Sequence, residues 1–148
     1  MSDPVRTKAQ IAGFEGCKLE AYPDPVTHAD PWTIGYGHTG AEVHEGLVWT
    51  QEQADAAFDA DYTNAEQRAF IHWSWIDQIN DARQAVIIGM VFQMGVGRLG
   101  GFIHMLAAAQ RGDFDTAADQ MEQSDWARQT PARASTLAKQ MRTGEWQS

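Results

Sequence analysis

Three side chains in the first quarter of the sequence have the chemistry to break an acetal bond. Glu15 follows Phe14 near the end of a predicted helix, Asp24 lies in a proline-rich turn, and Thr33 opens a glycine-rich run. Hydrolysis of a glycosidic bond needs a protonated acid at the leaving oxygen and a second carboxylate that directs water. Partial burial beside Phe14 favours a protonated Glu15, whereas Asp24 in a polar turn stays ionised. Spacing alone leaves open the alternative that both acids are solvated surface charges.

Length and charge limit the functions that the chain can serve. Its 148 residues, 43% of them hydrophobic, fit one compact domain or a small two-lobed one. A net charge of −9 argues against nucleic-acid binding and against electrostatic capture by acidic membranes or walls. We expect no stable membrane insertion, because no stretch approaches the ~20 apolar residues of a transmembrane helix. The start has no apolar signal-peptide region, so we expect synthesis in the cytoplasm without self-export. Cys17 is expected to be a small buried hydrophobe and not a catalytic thiol.

The pattern of apolar residues, caps and turns predicts an α+β fold. Residues 16–49 are rich in glycine, proline and β-formers, which favours a small antiparallel sheet with strands near Tyr22, 32–34 and 47–49. Thr50 and Gln53 form a capping box that opens a long helix to about residue 70. The run 85–92 is apolar on every side, which is typical of a buried helix, and glycines 95–101 are expected to end it. Further helices are predicted over 4–14, 102–110, 114–123 and 131–142, with Asp113 and Thr130 as N-caps.

Read as a set, these residues resemble a known family. Glu15, eight residues and then Asp24, followed by Trp32-Thr33-Ile34-Gly35-Tyr36-Gly37-His38, resembles the Glu/Asp/Thr signature of phage lysozymes, glycoside hydrolase family 24. The likeness to the T-even-phage branch continues over residues 89–95, 101–102, 124–134 and 142–146. It implies a single lysozyme-like domain over 1–148, with a β-lobe at about 16–49 and a connecting helix at about 50–70. The helical lobe would be 77–148 plus the N-terminal helix 4–14, with the substrate groove between the lobes.

The resemblance also implies an activity and a set of site residues. The expected reaction is hydrolysis, with inversion, of the β-1,4 bond between N-acetylmuramic acid and N-acetylglucosamine in peptidoglycan. Glu15 would be the general acid, Asp24 the carboxylate that directs water, and Thr33 its partner; no metal or cofactor is implied. Arg133 resembles an arginine that reaches the general acid, with an exposed helix-surface charge as the alternative, and Phe92 is equally interpretable as core. The expected substrate-binding residues are Thr39, Phe92, Gln93, Met105, Gln120 and Arg133.

One stretch departs from the family pattern. Eight residues separate Asp24 from Thr33, where the family usually has five. The longer loop contains a second acid, Asp30, which an alternative alignment would make the catalytic carboxylate. We favour Asp24, because the family fixes the spacing from the glutamate. His28 in the same loop is expected to be solvated.

A second charged pair is expected outside the catalytic residues. His38 and Asp61 occupy positions where the family can join the β-lobe to the long helix by a histidine–carboxylate pair. We expect this pair to be structural.

The leading functional hypothesis is a bacteriolytic phage endolysin. It would act as a monomer on host peptidoglycan, accumulate in the host cytoplasm, and depend on a holin for release to the cell wall without contacting it directly. Two alternatives remain open. One is the same lysozyme chemistry used at the start of infection or in bacterial antagonism, and the other is a non-catalytic peptidoglycan-binding domain.

Overall fold

The computed structural model describes residues 2–148 and confirms the predicted lysozyme-like α+β fold. A small three-stranded antiparallel sheet follows the first helix, and helices make up most of the remaining chain. The elements are α1 (Pro4–Glu15), β1 (Lys18–Tyr22), β2 (Thr33–Gly35), β3 (His38–Thr39), α2 (Gln51–His72), a 3-10 helix (Ser74–Gln78), α3 (Asp81–Gly100), α4 (Ile103–Gln110), α5 (Phe114–Glu122), α6 (Asp125–Gln129) and α7 (Pro131–Thr143).

The chain divides into two compact units. One comprises residues 8–64, which we call the sheet unit, and the other comprises residues 2–7 with 65–148, which we call the helical unit. Helices α1 and α2 contribute residues to both units. The single-domain boundaries expected from the family resemblance stay a prediction.

In the sheet unit, β2 lies between β1 and β3. Ile34 on β2 is fully buried and packs with Ala21 and Val43 in a small apolar cluster. The segment 47–49, expected to be a strand, is reduced to an isolated bridge between Glu20 and Val48. The segment therefore forms no strand, because its pairing with β1 is limited to two backbone hydrogen bonds, from Ala21 N–H to the Leu47 carbonyl and from Trp49 N–H to the Leu19 carbonyl.

The capping box at the start of α2 is confirmed. The backbone N–H of Gln53 donates to the Thr50 hydroxyl at 3.2 Å, and the backbone N–H of Thr50 donates to Gln53 Oε1 at 2.8 Å. Each side chain therefore satisfies a backbone donor that the first helical turn leaves without a partner.

In the helical unit, α3 is the buried helix that its apolar sequence predicts. Asn80 caps it by accepting from the N–H of Arg83, and nearly every side chain from Ala82 to Val91 is buried. Its end differs from the prediction. Gly95 breaks the helix with φ 81° and ψ 163°, a conformation that favours glycine, but the chain resumes helical geometry and continues to Gly100.

The remaining helices pack around one another, with α5 in contact with both α4 and α7. Asp113 caps α5 as predicted, by accepting from the N–H of Thr116. Two details differ from the sequence analysis. Ser124 caps a short separate helix, α6, that was not predicted. Thr130 precedes Pro131 at the start of α7, but its hydroxyl donates to the Trp126 carbonyl and does not cap the helix.

Among residues 2–148, no individual helix has the length and apolar character to cross a membrane. Only α3 and α4 taken together reach that threshold, and a 108° bend separates them.

Candidate active site

The sheet carries a row of hydroxyl groups across its three strands. Thr33 on β2 pairs with Tyr22 on β1 and with Thr39 on β3. Directly paired residues in antiparallel strands place their side chains on the same face. Ile34, the next residue along β2, points to the opposite face and into the apolar cluster. The face with Tyr22, Thr33 and Thr39 is therefore the polar face of the sheet, and it contains two predicted site residues.

Glu15 lies close to this face. It is the last residue of α1, is half-buried, and its carboxylate rests on the backbone of Gly37. A Cβ at position 37 would lie 2.6 Å from Glu15 Oε2, and the φ of Gly37 is +76°. The positive φ favours glycine at this position, and a larger residue would strain the turn and displace the carboxylate of Glu15.

The charge of Glu15 reaches the hydroxyl row. Burial of the ring and then the negative charge of Glu15 raise the pKa of Tyr22. Tyr22 is the cross-strand partner of Thr33, and Gly37 lies in the turn between β2 and β3, so Glu15 lies beside the strands that carry both residues.

Asp24 lies two residues beyond Tyr22, immediately after β1. It is half-buried, and its Oδ1 accepts hydrogen bonds from the backbone N–H groups of Val26 at 2.8 Å and Thr27 at 3.0 Å. The rival acid Asp30 is exposed, and its carboxylate has no hydrogen bond to any described residue. The structure therefore holds Asp24 in one orientation and leaves Asp30 as a solvated loop charge. His28 is exposed, as expected.

The helical unit holds the other predicted site residues. Phe92 and Gln93 are half-buried on α3, and the indole N–H of Trp126 donates to Gln93 Oε1 at 2.8 Å. Met105 and Gln120 line one cavity of about 480 Å³ in this unit, where Met105 is only 1% exposed and Gln120 is half-buried. The structure thus brings Met105 and Gln120 together, and the substrate-binding roles of all four residues stay predictions.

Arg133 lies near the start of α7 and is 9% exposed. The alternative of an exposed helix-surface charge is therefore wrong. A guanidinium that is buried away from water needs polar or anionic partners. The predicted substrate-binding role of Arg133 stays a prediction.

The expected His38–Asp61 pair is confirmed, and it has a second partner. Nδ1 of His38 lies 2.7 Å from Asp61 Oδ2, and Nε2 lies 2.6 Å from Glu42 Oε1. Burial of the ring opposes protonation, but the hydrogen bonds to Glu42 and Asp61 outweigh it, so the pKa of His38 is raised. The imidazole links β3, the following loop and α2 within the sheet unit, which is a structural role.

The expectation that Cys17 is buried was wrong. Cys17 is exposed, because it lies between the left-handed Gly16 at the end of α1 and the start of β1, whose first residues face solvent.

Comparison with known proteins decides the family. The phage lysozyme family model matches residues 12–142, which is most of the chain. The chain belongs to the phage lysozyme family. The matched region begins before Glu15 and contains every predicted site residue.

Three relatives illustrate the range of proteins in which similar sequences occur. Peptidoglycan hydrolase gp36 of Pseudomonas phage phiKMV is 30% identical over 141 residues, covering 94% of this chain and 15% of that protein. The pre-baseplate central spike protein Gp5 of Enterobacteria phage T4 is 31% identical over 160 residues, covering 90% and 27%. Probable T4-type lysozyme 1 of Dictyostelium discoideum is 27% identical over 156 residues, covering 88% and 89%. The chain therefore spans well under a third of the length of the first two relatives.

Sequence reasoning missed the contributions of Gly37 and Glu42. Gly37 lies inside the run that identified the family, but only the coordinates show that its missing side chain makes room for Glu15. Glu42 is four residues after His38, a spacing that signals contact on a helix, yet here the chain turns after β3 and a loop brings the two together. In residues 2–148, no group of three or more His, Cys, Asp or Glu side chains is arranged to hold a metal ion.

Proposed function

We propose that this chain is a muramidase that hydrolyses the β-1,4 bond between N-acetylmuramic acid and N-acetylglucosamine in peptidoglycan. The observation that carries the proposal is the arrangement on the polar face of the sheet unit, in a chain of the phage lysozyme family. There a half-buried Glu15 adjoins Gly37, its charge acts on Tyr22, and Thr33 and Asp24 follow from the same strand pair. Relatives named peptidoglycan hydrolase and T4-type lysozyme support the same substrate.

The proposed reaction is a single displacement. Glu15 donates its proton to the glycosidic oxygen as the bond to the anomeric carbon breaks. A water attacks that carbon from the opposite face and transfers a proton to Asp24, while the Thr33 hydroxyl orients the water. The product has inverted configuration, Glu15 ends as a carboxylate and Asp24 as an acid, and proton exchange with solvent restores both.

Substrate binding is proposed for residues of both units. Thr39 supports this role because it shares the polar face with Thr33. Gln93 supports it because Trp126 fixes its amide, and Gln120 because it lines the cavity with Met105. Phe92 and Arg133 are proposed on the family resemblance.

A digestion assay tests the chemistry. Purified peptidoglycan is incubated with the wild type and with Glu15→Gln, Asp24→Asn and Asp30→Asn, and new reducing ends are counted and identified after borohydride reduction. We expect reduced muramic acid from the wild type, a loss of rate of about 10²–10⁴-fold in Glu15→Gln and Asp24→Asn, and a normal rate in Asp30→Asn.

Equal rates for wild type and Glu15→Gln would reject the mechanism. Binding without cleavage by every protein would establish a non-catalytic module. A slow Asp30→Asn with a normal Asp24→Asn would reverse the assignment.

The stereochemistry has its own test. Proton NMR of the first product formed from a soluble peptidoglycan fragment distinguishes the two anomers before they equilibrate. Inversion predicts the α-anomer first, and initial formation of the β-anomer would show a retaining mechanism.

For the biological role we propose host-cell lysis by a monomeric endolysin that waits in the cytoplasm and reaches the wall through a holin-dependent lesion. A second role is favoured by the two longer relatives, one of which is named a central spike protein. In that role the same chemistry would belong to a virion component that acts at the start of infection. Mass spectrometry of purified virions separates the two, because an endolysin is expected in the infected-cell lysate and absent from particles.

A further inference from the structure

The loop after β1 is closed by its own backbone. The N–H of Asp24 donates to the carbonyl of Ala29 at 3.0 Å, and the N–H of His28 donates back to the carbonyl of Asp24 at 2.8 Å. His28 takes a left-handed conformation, with φ 59°, which is uncommon for a residue other than glycine. These features make the longer loop an ordered turn that begins and returns at Asp24.

The same loop holds the carboxylate of Asp24. The backbone N–H groups of Val26 and Thr27 both donate to Oδ1. No hydrogen bond from any residue that the structure describes reaches Oδ2. One carboxylate oxygen is therefore anchored by the backbone, and the other is left to accept a proton from water.

The hydroxyl of Thr27 fixes the loop that provides this anchor. It donates to the carbonyl of Asp30 at 2.7 Å and accepts from the N–H of Ala29 at 3.2 Å. Ala29 is also the residue whose carbonyl receives the N–H of Asp24. Thr27 therefore contacts Asp24 through its own backbone and stabilises, through its side chain, the residues that close the turn.

We propose that Thr27 is a positioning residue for the reaction, which sets the orientation of the Asp24 carboxylate through the hydrogen bonds of this loop. The inference rests on the proposed function, in which Asp24 accepts the proton of the attacking water. A charged oxygen that is 1 Å out of place can lower a rate by about 10²-fold, so a loop that removes this freedom contributes directly to turnover. The loop that lengthens the spacing between Asp24 and Thr33 thus acts as a support for Asp24.

A matched set of variants tests the proposal on the whole chain. Thr27→Val removes the hydroxyl at nearly constant shape, and Thr27→Ser restores it. Thr143→Val is the control, because the exposed Thr143 makes the same two kinds of bond, donating to the carbonyl of Lys139 and accepting from the N–H of Glu145. Asp24→Asn tests the proposed function separately. For each protein kcat and KM are measured on soluble peptidoglycan fragments, together with Tm.

We expect Thr27→Val to lower kcat by about 10- to 100-fold with KM changed less than about twofold. We expect Thr27→Ser and Thr143→Val to stay within about twofold of the wild type in both constants.

Three results would each overturn the inference. They are a Thr27→Val protein as fast as Thr143→Val, a Thr27→Ser protein as slow as Thr27→Val, and a change in Thr27→Val that is confined to KM or Tm. If Asp24→Asn is slow in any of those cases, the proposed function stands and only the role of Thr27 falls. A normal rate for Asp24→Asn would instead reject the assignment of Asp24, and with it the path through which Thr27 acts.

Discussion

Different kinds of interaction stabilise the interior of the sheet unit and the interior of the helical unit. The sheet unit has strands of five, three and two residues, and its loops are fixed by individual polar contacts such as the Thr50–Gln53 box and the His38 bridge. The helical unit buries long apolar runs, above all on α3. Polar contacts can aim one side chain at a time, whereas apolar burial supplies most of the free energy of folding. Substitutions beside Glu15 in the sheet unit should therefore act mainly on rate, and substitutions of buried apolar residues in the helical unit should act mainly on stability.

The largest expected effect is on the helical unit. Ile88 on α3 is fully buried, and Ile88→Ala should lower the free energy of unfolding by about 2–5 kcal/mol, measured by urea denaturation. The rate per folded molecule should stay near that of the wild type. Ile71→Ala is the control, since Ile71 is 78% exposed and should shift stability by no more than about 0.5 kcal/mol. If Ile88→Ala and Ile71→Ala had a similar free energy of unfolding, apolar burial would not be the main source of stability in the helical unit.

Gly37→Ala tests the sheet unit in the same way. The new methyl group would meet the carboxylate of Glu15, so we expect hydrolysis to slow by about 10²-fold, while the left-handed backbone costs about 1–2 kcal/mol of stability. Gly13→Ala is the matched control, because Gly13 lies in α1 with nothing within 4 Å of its added Cβ. It should keep its rate and gain up to about 1 kcal/mol. Normal hydrolysis by Gly37→Ala would show that Glu15 does not need its present position.

A smaller effect is expected at the start of α2. Thr50→Ala removes the cap and should lower the free energy of unfolding by about 1 kcal/mol, seen as a lower urea midpoint with unchanged slope. Thr63→Ala, at an exposed position further along the same helix, should be neutral or stabilising by a few tenths of a kcal/mol because alanine favours helix. If Thr50→Ala cost as much as Ile88→Ala, single polar contacts would matter more to stability than the comparison allows.

The smallest effect depends on pH. The folded-state pKa of His38 is raised above the unfolded value of about 6.5, so the pairing stabilises the protein fully below that value. The contribution is lost as pH rises through the folded-state pKa. NMR titration should show a lower His38 pKa in Asp61→Asn and in Glu42→Gln, with the larger change in Asp61→Asn, because Asp61 is 35% exposed and Glu42 is 62% exposed.

A stability measurement completes this test. The difference in urea midpoint between wild type and Asp61→Asn should be greater at about pH 5.5 than at about pH 8.5. An unchanged His38 pKa in both variants would show that neither carboxylate acts on the imidazole.

The two units also differ in how well sequence predicted them. Most of the helical unit could be predicted from periodicity and caps, because the apolar run 85–92 is typical of a helix buried on all sides and Asp113 indicates a helix start. The exceptions were local: Gly95 breaks α3 without ending it, α6 is too short to give a periodic signal, and the Thr130 side chain does not cap α7. A glycine in the sequence indicates where a helix can be interrupted, but it does not indicate whether helical geometry continues after it.

In the sheet unit, the family signature placed Glu15 and Thr33 on elements that the structure brings together, and it anticipated the His38–Asp61 pair. It did not reveal that Gly37 makes room for Glu15 or that Glu42 is the second partner of His38. Those contacts join residues across turns whose path depends on backbone conformation at individual positions. A strand of three residues is too short to show a clear alternation of apolar and polar residues, so the sequence does not predict the course of the backbone through the turns.

The exposure of Cys17 has a practical consequence. It is the only cysteine of the chain, it is open to solvent, and it lies two residues from Glu15. A maleimide fluorophore would therefore attach at one known place without any engineering of the sequence. The emission of the dye would change when a glycan binds beside Glu15. Binding could therefore be followed in real time through a label on the native thiol.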